Sequence, residues 1–274
     1  MIEICVKIDI VKVAVAQSAC ALGDFDANLR KIREFAARAK KSGCELVVFP
    51  EMIDTGYSMP VIEKQARPWK EGAAWELRKI AKEVSIAIVA GISDRDGDAI
   101  FNAQVLVSAD GDVLAKYRKM HLVTAAPLDE RVCLSPGNEF VTTKIDTFNV
   151  GLSICYDLRF PEMARTLVVK FGANVIVNSS AWPVVRAEHL RILALARAVE
   201  NQSYFIIANR VGTDDGVTFC GGSLIVDPSG KILTAASPDR EELIQAELSG
   251  EIIADARNRV TVFAHRRPEL YKMT

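Results

Sequence analysis

The sequence lacks the paired cysteines that mark zinc sites and disulfide frameworks. Six cysteines are scattered along its 274 residues, with no CxxC pair and no histidine nearby at ligand spacing. They are Cys5, Cys20, Cys44, Cys133, Cys155 and Cys220. We therefore expect no metal site, no disulfide, and reduced thiols in a cytoplasm.

Long apolar runs are missing as well. The opening stretch MIEICVKIDIVKVAVAQ is broken by the charged residues Glu3, Lys7, Asp9 and Lys12. It therefore does not have the unbroken hydrophobic region of a signal peptide. No apolar run of transmembrane length follows. We expect neither a secretion signal nor a membrane span.

Charge of one sign is not in excess. The 34 Lys and Arg residues nearly balance the 35 Asp and Glu residues, and no Lys/Arg run occurs. Such a sequence predicts no basic patch that would bind nucleic acid or an anionic membrane. The phosphate-binding patterns GxGxxG and GxxxxGKS/T are also absent after the first strand, which argues against a nucleotide-binding protein. The expected partner is a small molecule or another protein.

The first third of the chain has the pattern of a strand, a helix and a second strand. VKVAVAQ and ELVVFPE are typical of strands, and residues 27–41 between them predict a helix. Asp26 is a plausible N-cap, and Gly43 stands where a left-handed helix stop is expected. The predicted apolar face of the helix comprises Leu29, Ile32, Ala36 and Ala39. We interpret this segment as a βαβ unit.

The same order of elements occurs twice. After the βαβ unit come the helix WELRKIAKEV, the strand IAIVAGI and two strands around a turn at Gly111. The order recurs from the strand FNVGLSICYD, with a helix that Pro161 opens and Gly172 closes. Ile88 and Ile207 are separated by 119 positions, as are Gly111 and Gly230. This indicates an internal duplication within one domain, 1–274, although two similar halves could also arise by chance.

The strand composition predicts an α/β fold with four layers. The strands LVVF, IAIVA, VIV and FIIA are apolar at successive positions, as expected when both faces of a sheet are covered. Amphipathic helices can cover only one face of each half. The other face must pack against the sheet of the other half, which gives a four-layer α-β-β-α sandwich built from two similar halves.

Three functional groups follow the ends of predicted strands. Glu51 follows a buried run, Lys119 ends a hairpin, and Cys155 ends the first strand of the second half. Alternation along the strand places Lys119 on the same face as Tyr117. A carboxylate, an amine and a thiol that meet in one pocket are suited to acyl transfer. Taken singly, Cys155 is typical of a buried small residue, Glu51 of a helix cap and Lys119 of a solvated charge cluster.

The chemistry gives each group a role. The attacking species is a thiolate, but a free thiol with a pKa near ~8.5 is mostly protonated at neutral pH. Glu51 is the candidate base that accepts its proton. Negative charge then develops on the carbonyl oxygen of an amide substrate, and Lys119 with the Tyr156 N–H are the candidates that stabilise it.

These residues resemble the catalytic blocks of the carbon–nitrogen hydrolases of the nitrilase superfamily. VVFPEM, YRKMHL and GLSICYDLRFPE are similar to its three blocks, in its order. The resemblance implies a Glu51–Lys119–Cys155 triad, the four-layer sandwich, no cofactor, and a homodimer or larger oligomer. It also implies a second glutamate before SPG, which matches Glu130 with Asp129 beside it. The expected role of Glu130 is to orient Lys119 or to position the attacking water.

The block CYDLRFPE is most similar to the branch that cleaves amides of small carboxylic acids, such as ω-amidases. Arg159 is placed to form a bidentate pair with a substrate carboxylate. Its alternative is a structural ion pair with Asp157 or Glu162. Trp182 follows the counterpart of the Glu51 strand and is expected either to line the pocket or to pack in the core.

The carboxyl-terminal segment, from about residue 255, is expected to cross to a neighbouring subunit, as the resemblance suggests. It contains an alternating, strand-like stretch at Val260 to Phe263. An edge strand within the same chain is the alternative.

The expected function is hydrolysis of the C–N bond of a small linear amide through a Cys155 thioester, with release of ammonia. N-carbamoyl acids and nitriles remain open as substrates of the same triad, and loops 53–69 and 123–133 are expected to decide among them. A catalytically silent interaction protein with the same fold is a second alternative. A histidine-based cysteine protease is disfavoured, because none of the three histidines follows Cys155 with the local signatures of those families.

Overall fold

The structure is a computed structural model that describes residues 10–125 and 128–271. Cys5 and the charged positions up to Asp9 lie outside the described residues. So do Ala126 and Pro127 of the 123–133 loop and the end of the carboxyl-terminal segment. No helix within the described ranges is long and apolar enough to cross a membrane.

The predicted helices and strands occur in the predicted order in both halves, together with further short elements that were not predicted. The first half comprises β1 (Ile10–Gln17), α1 (Phe25–Lys41), β2 (Leu46–Val48), α2 (Met59–Gln65), α3 (Ala73–Val84), β3 (Ala87–Asp96), β4 (Ala99–Val107) and β5 (Val113–Arg118). The second comprises β6 (Thr142–Ile145), β7 (Phe148–Ile154), α4 (Pro161–Val169), β8 (Val175–Ser179), α5 (Ala187–Asn201), β9 (Tyr204–Ala208), β10 (Thr213–Asp214), β11 (Val217–Thr218), β12 (Leu224–Val226) and β13 (Ile232–Ala235). The elements β14 (Glu242–Ser249) and α6 (Gly250–Arg259) follow.

Two six-stranded sheets form the centre of the molecule. Their strand orders are β14-β1-β2-β3-β4-β5 and β13-β12-β9-β8-β7-β6. The side chains of β1 alternate between two cores: Val13 and Val15 pack in the core shared by the two sheets, whereas Ala14 and Ala16 pack beneath α1 and α3. The predicted α-β-β-α sandwich is therefore confirmed.

The two halves match strand by strand. Along the parallel ladders, Val15 pairs with Val48 and Val48 with Val89, just as Ile154 pairs with Ser179 and Ser179 with Ala208. The offset between Val89 and Ala208 is the predicted 119 positions. The residue after Val15 is Ala16 and the residue after Ile154 is Cys155. The duplication therefore places a thiol at this strand end in one half only.

The start of α1 differs from the prediction. Its N-cap is Asp24, whose side chain accepts a hydrogen bond from the Ala27 N–H at 2.9 Å, and the helix begins at Phe25. The predicted cap, Asp26, lies in the first turn, where its charge favours the positive end of the helix dipole. The predicted apolar face is buried, and Gly43 has the expected left-handed backbone, with φ of +78°.

The predicted strand at Val260 to Phe263 is wrong. Residues 260 and 261 are irregular and 262–265 form a turn, closed by local hydrogen bonds such as the one from the Ala264 N–H to the Thr261 carbonyl. Phe263 packs beneath the guanidinium groups of Arg165 and Arg257, each 5.5 Å from its ring centroid. An apolar residue at this position is therefore explained by this contact and not by a place in a sheet. The crossing of this segment to a partner subunit stays a prediction.

Candidate active site

The structure brings the three predicted groups to one buried place between the sheets. Glu51 follows β2, Lys119 follows β5, and Cys155 follows β7. The side chains of Glu51 and Lys119 are inaccessible to solvent, and Cys155 is 3% exposed. β2 and β5 run in the same direction within one sheet, so that they end at the same edge of it, and β7 of the other sheet brings Cys155 to that place.

Glu51 accepts hydrogen bonds on both carboxylate oxygens. Oε1 accepts from Lys119 Nζ at 2.9 Å and from Asn102 Nδ2 at 2.6 Å. Oε2 accepts from the Ala181 N–H at 2.8 Å. Burial raises the pKa of Glu51; the charge of Lys119 opposes this rise and that of Glu130 adds to it, and the net pKa is above its usual value. A carboxylate with a raised pKa is a better proton acceptor.

Lys119 lies between two carboxylates. Its Nζ is 2.9 Å from Glu51 Oε1 and 2.8 Å from Glu130 Oε1. Burial by itself would lower the pKa of Lys119, but the charges of Glu130 and Glu51 outweigh burial and raise it. The side chain is therefore a fixed ammonium. Its neighbours Lys116 and Arg118 point the other way and pair with Asp94, as the strand alternation predicts.

Glu130 is the buried member of the predicted pair, and Asp129 is the exposed one. Glu130 begins a 3-10 helical turn and accepts hydrogen bonds from Lys119 Nζ and from the Tyr57 hydroxyl at 2.9 Å. Its Oε2 accepts from the Val123 N–H at 2.7 Å. Asp129 pairs instead with the exposed Arg131. Of the two roles expected for Glu130, these contacts favour the orientation of Lys119.

Cys155 stands at a sharp bend between β7 and a 3-10 helical turn, Cys155–Arg159. Its φ of +42° is in the left-handed region, which costs about 1–3 kcal/mol for a residue other than glycine. Asp157 holds the bend: its Oδ2 accepts from the Ile154 N–H at 2.9 Å and from the Tyr117 hydroxyl at 2.7 Å. The strain and its buried support place the sulfur at a fixed position.

The thiol of Cys155 needs a base. The pKa of this thiol is raised well above the usual value, mainly by burial and secondly by the charge of Glu51. Lys119 and the Ala181 N–H act in the opposite direction but do not cancel the rise. The resting group is therefore a neutral thiol. A thiolate forms there only when a neighbouring group takes the proton.

A cavity of about 230 Å³ opens above Cys155. It is smaller than the roughly 300–1,000 Å³ of pockets that hold drug-sized ligands. Its walls are Val123, Ala125, Leu128, Cys155, Tyr156, Arg159, Ala181, Trp182, Pro183, Arg186 and His189. All three predicted binding residues (Tyr156, Arg159 and Trp182) line it. The second of the predicted pocket loops contributes three wall residues, and the first reaches the site through Tyr57.

Arg159 presents a cation in this cavity. Its guanidinium lies 4.9 Å from the centroid of the Trp182 ring, and its Nη2 is 3.2 Å from His189 Nδ1. Asp157 binds His121 and Tyr117 instead, and no ion pair of Arg159 with Asp157 or Glu162 occurs among the described residues. Trp182 both lines the cavity and packs in the core, and its Nε1 donates to the Arg186 carbonyl at 2.8 Å.

Several residues of the site have no strong sequence signal. Asn102 and Tyr57 bind the two glutamates, the Ala181 N–H binds Glu51, and His189 binds Arg159. Asn102 could have been suspected as a polar residue on an apolar strand. Over residues 10–125 and 128–271, no group of three or more His, Cys, Asp or Glu side chains is arranged to hold a metal ion.

Comparison with known proteins gives consistent results. Residues 12–258 match the sequence profile of the carbon–nitrogen hydrolase family. A 2-oxoglutaramate amidase of Bacillus subtilis is 35% identical over 246 residues, which cover 89% of this chain and 93% of the relative. A nitrilase of Pyrococcus abyssi is 35% identical over 269 residues, 95% of this chain and 99% of the relative. The crystal structure of Saccharomyces cerevisiae Nit3, a member of branch 10 of the nitrilase superfamily, superposes with a TM-score of 0.86 at 34% identity, covering 94% of this chain and 97% of that one.

Proposed function

Because the chain belongs to the carbon–nitrogen hydrolase family, we propose that it is an amidase that cleaves small, carboxylate-bearing linear amides. We assign the chemistry to Cys155, Glu51, Lys119 and Glu130, acting within one domain that spans the chain. The observation that carries this proposal is the Lys119 ammonium, held between two buried carboxylates beside a cysteine that lines a small cavity.

The reaction proceeds through a thioester. Glu51 takes the proton of Cys155 as the sulfur bonds to the amide carbonyl carbon, and Lys119 with the Tyr156 N–H stabilises the oxyanion. The oxyanion then collapses, the C–N bond breaks, and Glu51 returns the proton to the leaving nitrogen, which departs as ammonia. Water, deprotonated by Glu51, next attacks the thioester carbonyl carbon; the C–S bond breaks, Glu51 returns the proton to the Cys155 sulfur, and the carboxylic acid leaves. Each step uses groups of this chain and no cofactor.

The cavity supports an acidic substrate. Arg159 lines the same cavity as Cys155 and offers planar donors to a substrate carboxylate, and stacking on Trp182 fixes their direction. The apolar wall of Val123, Ala125 and Leu128 suits a short aliphatic linker. The names of the Bacillus relative and of the omega-amidases NIT3 of Saccharomyces cerevisiae and NIT2 of Homo sapiens agree with this substrate class.

Nitriles are the second candidate, because a Pyrococcus relative of similar identity is named a nitrilase. The experiment is a panel of ω-amides of dicarboxylic acids, simple amides, N-carbamoyl acids and nitriles, with ammonia release as the readout. We expect the highest kcat/KM on the carboxylate-bearing amides and no turnover by Cys155→Ala. Full activity of Cys155→Ala would overturn the mechanism, and a preference for nitriles or N-carbamoyl acids would overturn the substrate class.

In a silent interaction protein of the same fold, Glu51 would not activate the Cys155 thiol. The two possibilities differ in how alkylation of Cys155 depends on Glu51. In an enzyme, Glu51→Gln slows iodoacetamide modification of Cys155, because the proton acceptor is lost. Equal rates in the two proteins, together with no turnover on the whole panel, would favour the silent protein.

We further propose a homo-oligomer that forms through α5. Ile192 and Val199 on α5 are 57% and 50% exposed, and Val185, in the 3-10 turn before the helix, is 76% exposed; the three are spaced seven residues apart. Such a stripe suits packing against its own copy about a twofold axis. Sedimentation velocity should show a dimer or larger assembly that Ile192→Glu dissociates, whereas Leu114→Glu on the exposed side of β5 leaves it intact. A monomeric wild-type protein would contradict this assembly.

We also propose a cytoplasmic location, where thiols stay reduced. Within the described residues, Cys20, Cys44, Cys133, Cys155 and Cys220 are free thiols.

A further inference from the structure

Asn102 binds both glutamates of the site. Its Nδ2 donates to Glu51 Oε1 at 2.6 Å and to Glu130 Oε1 at 3.1 Å. These are the same two oxygens that accept from Lys119 Nζ. The two carboxylates are therefore bridged twice, once by a cation and once by a neutral amide. Asn102 is wholly buried, so solvent does not compete for its hydrogen bonds.

The amide of Asn102 has one possible orientation. Turned by half a rotation, its carbonyl oxygen would face two carboxylate oxygens, which is repulsive. In the observed orientation, Oδ1 is buried without a hydrogen-bond partner among the described residues. A buried, unpaired carbonyl costs free energy of folding. The cost arises because the amide donates both of its N–H groups, one to Glu51 and one to Glu130. We take this unfavourable arrangement as a sign of a functional constraint.

The two oxygens of Glu51 consequently have different tasks. Oε1 accepts from two side chains, while Oε2 accepts from the Ala181 N–H, which also acts on the Cys155 thiol. We propose that Asn102 is a positioning residue: it fixes Oε1 of Glu51 and leaves Oε2 as the oxygen that takes the proton of Cys155. This inference rests on the proposed amidase mechanism and adds a residue to it.

A neutral donor is suited to this task. The titratable groups that face Glu51 are Lys119 after β5, Glu130 in its 3-10 turn, Cys155 after β7 and Tyr57 in the loop before α2. A second cation at position 102 would lower the basicity of Glu51, whereas an amide holds the carboxylate with a smaller effect. The hydrogen bond from Asn102 favours the ionised form of Glu51, and its removal raises the pKa of that carboxyl.

The test compares Asn102→Ala and Asn102→Ser with a matched control. Asn201→Ala is the control, because Asn201 is an equally buried amide on α5 that donates to the Arg197 carbonyl and whose Oδ1 likewise has no partner within the described part of the chain. We expect kcat of Asn102→Ala to fall about 10- to 100-fold, part of the roughly 10²–10⁴ that a positioned general base contributes. KM should change little.

The pH dependence separates positioning from simple destabilisation. In Asn102→Ala the acidic limb of the kcat/KM profile should move to higher pH, and Asn102→Ser, which keeps one donor, should move less in the same direction. The rate of Cys155 alkylation against pH should move likewise, and this readout needs no turnover. Asn201→Ala should leave both profiles unchanged.

Two outcomes would overturn the inference. One is an acidic limb in Asn102→Ala and Asn102→Ser that coincides with the wild-type limb; the other is a shift of the same size in Asn201→Ala. Either result, with Cys155→Ala inactive, leaves the amidase proposal standing and removes only the role of Asn102. An active Cys155→Ala protein would remove the amidase mechanism first.

Discussion

Gly91 lies directly against Glu51: a Cβ atom on Gly91 would stand 2.6 Å from the Glu51 Cα and 2.9 Å from the Pro50 carbonyl oxygen. Gly91 belongs to β3, and its N–H donates to that same carbonyl at 3.0 Å. The absence of a side chain on β3 therefore allows the Glu51 loop to approach the sheet. The position of the candidate base depends on this close approach.

Gly91→Ala should displace Glu51. We expect kcat to fall by about 100-fold or more, since a shift of about 1 Å in a catalytic group can cost that much. The free energy of unfolding should fall by about 1–3 kcal/mol from overpacking. Steady-state kinetics and urea denaturation measure the two effects. Gly250→Ala is the control, because a Cβ there meets no atom of the described residues within 4 Å. Wild-type kcat in Gly91→Ala would show that the loop adjusts without moving the base.

The activity of the enzyme should fall on the acidic side of neutrality. Protonated Glu51 cannot accept the Cys155 proton, and its pKa is raised by burial and by the charge of Glu130. The acidic limb of kcat/KM should thus lie above the ordinary glutamate value of about 4.3. Glu130→Gln removes a negative charge and should move this limb to lower pH while it reduces kcat. A limb that moves upward in Glu130→Gln would contradict this electrostatic account.

Asp54 should make the folded state less stable as pH rises. Burial raises its pKa to about 6, although hydrogen bonds from Ser93 oppose the rise. Its unfolded value is near ~3.9, so the folded state binds the proton more tightly and stability is lost as pH rises from about 4 to 6. In Asp54→Asn this loss is removed, which favours the variant at pH 7 by about 2 kcal/mol relative to pH 4. Urea denaturation across this range measures the difference.

The control for Asp54 is Asp129→Asn. Asp129 is exposed, and the hydrogen bond from Arg131 lowers its pKa. The stability that it contributes is present at high pH and is lost as pH falls, so the sign is opposite and screening by solvent keeps the effect small. If the free energy of unfolding depends on pH in the same way for Asp54→Asn and the wild-type protein, Asp54 does not titrate in this range.

Arg159 should select substrates by their carboxylate. Arg159→Ala is expected to lower kcat/KM on carboxylate-bearing amides by about 10- to 100-fold, from loss of a charged hydrogen bond worth ~1.5–3 kcal/mol. Arg159→Lys should recover only part of this, since a lysine lacks the planar pair of donors. Simple amides are the internal control and should react at nearly the wild-type rate. An equal loss on both substrate classes would assign Arg159 to packing on Trp182 instead.

The sequence was sufficient for the sheets and for the three central groups. Glu51 and Cys155 each follow a strand with a clear apolar pattern, and the resemblance of the three blocks VVFPEM, YRKMHL and GLSICYDLRFPE to those of the family added Lys119. The offset of 119 positions was also found in the structure, where Val89 and Ala208 occupy the same place in the ladders of the two halves. Periodicity and strand order are properties of short stretches, so they can be read locally.

Contacts across the fold could not be read in this way. Asn102 and Tyr57 lie 51 and 73 positions from the glutamates that they bind most closely, Glu51 and Glu130 respectively, and only the packed structure selects such partners. The N-cap of α1 was misplaced by two residues because Asp24 and Asp26 are equivalent as sequence signals. The strand predicted at Val260 to Phe263 is wrong, because the ring of Phe263 packs against Arg165 and Arg257 outside any sheet.

The central claim is that Cys155 forms a thioester with the substrate. The most direct measurement is mass spectrometry of the enzyme after an acid quench during turnover of an ω-amide, followed by peptide mapping. The account predicts one acyl adduct, on Cys155, that is absent from Cys155→Ala and disappears once the substrate is consumed. An adduct on another residue, or wild-type ammonia release by Cys155→Ala, would contradict it.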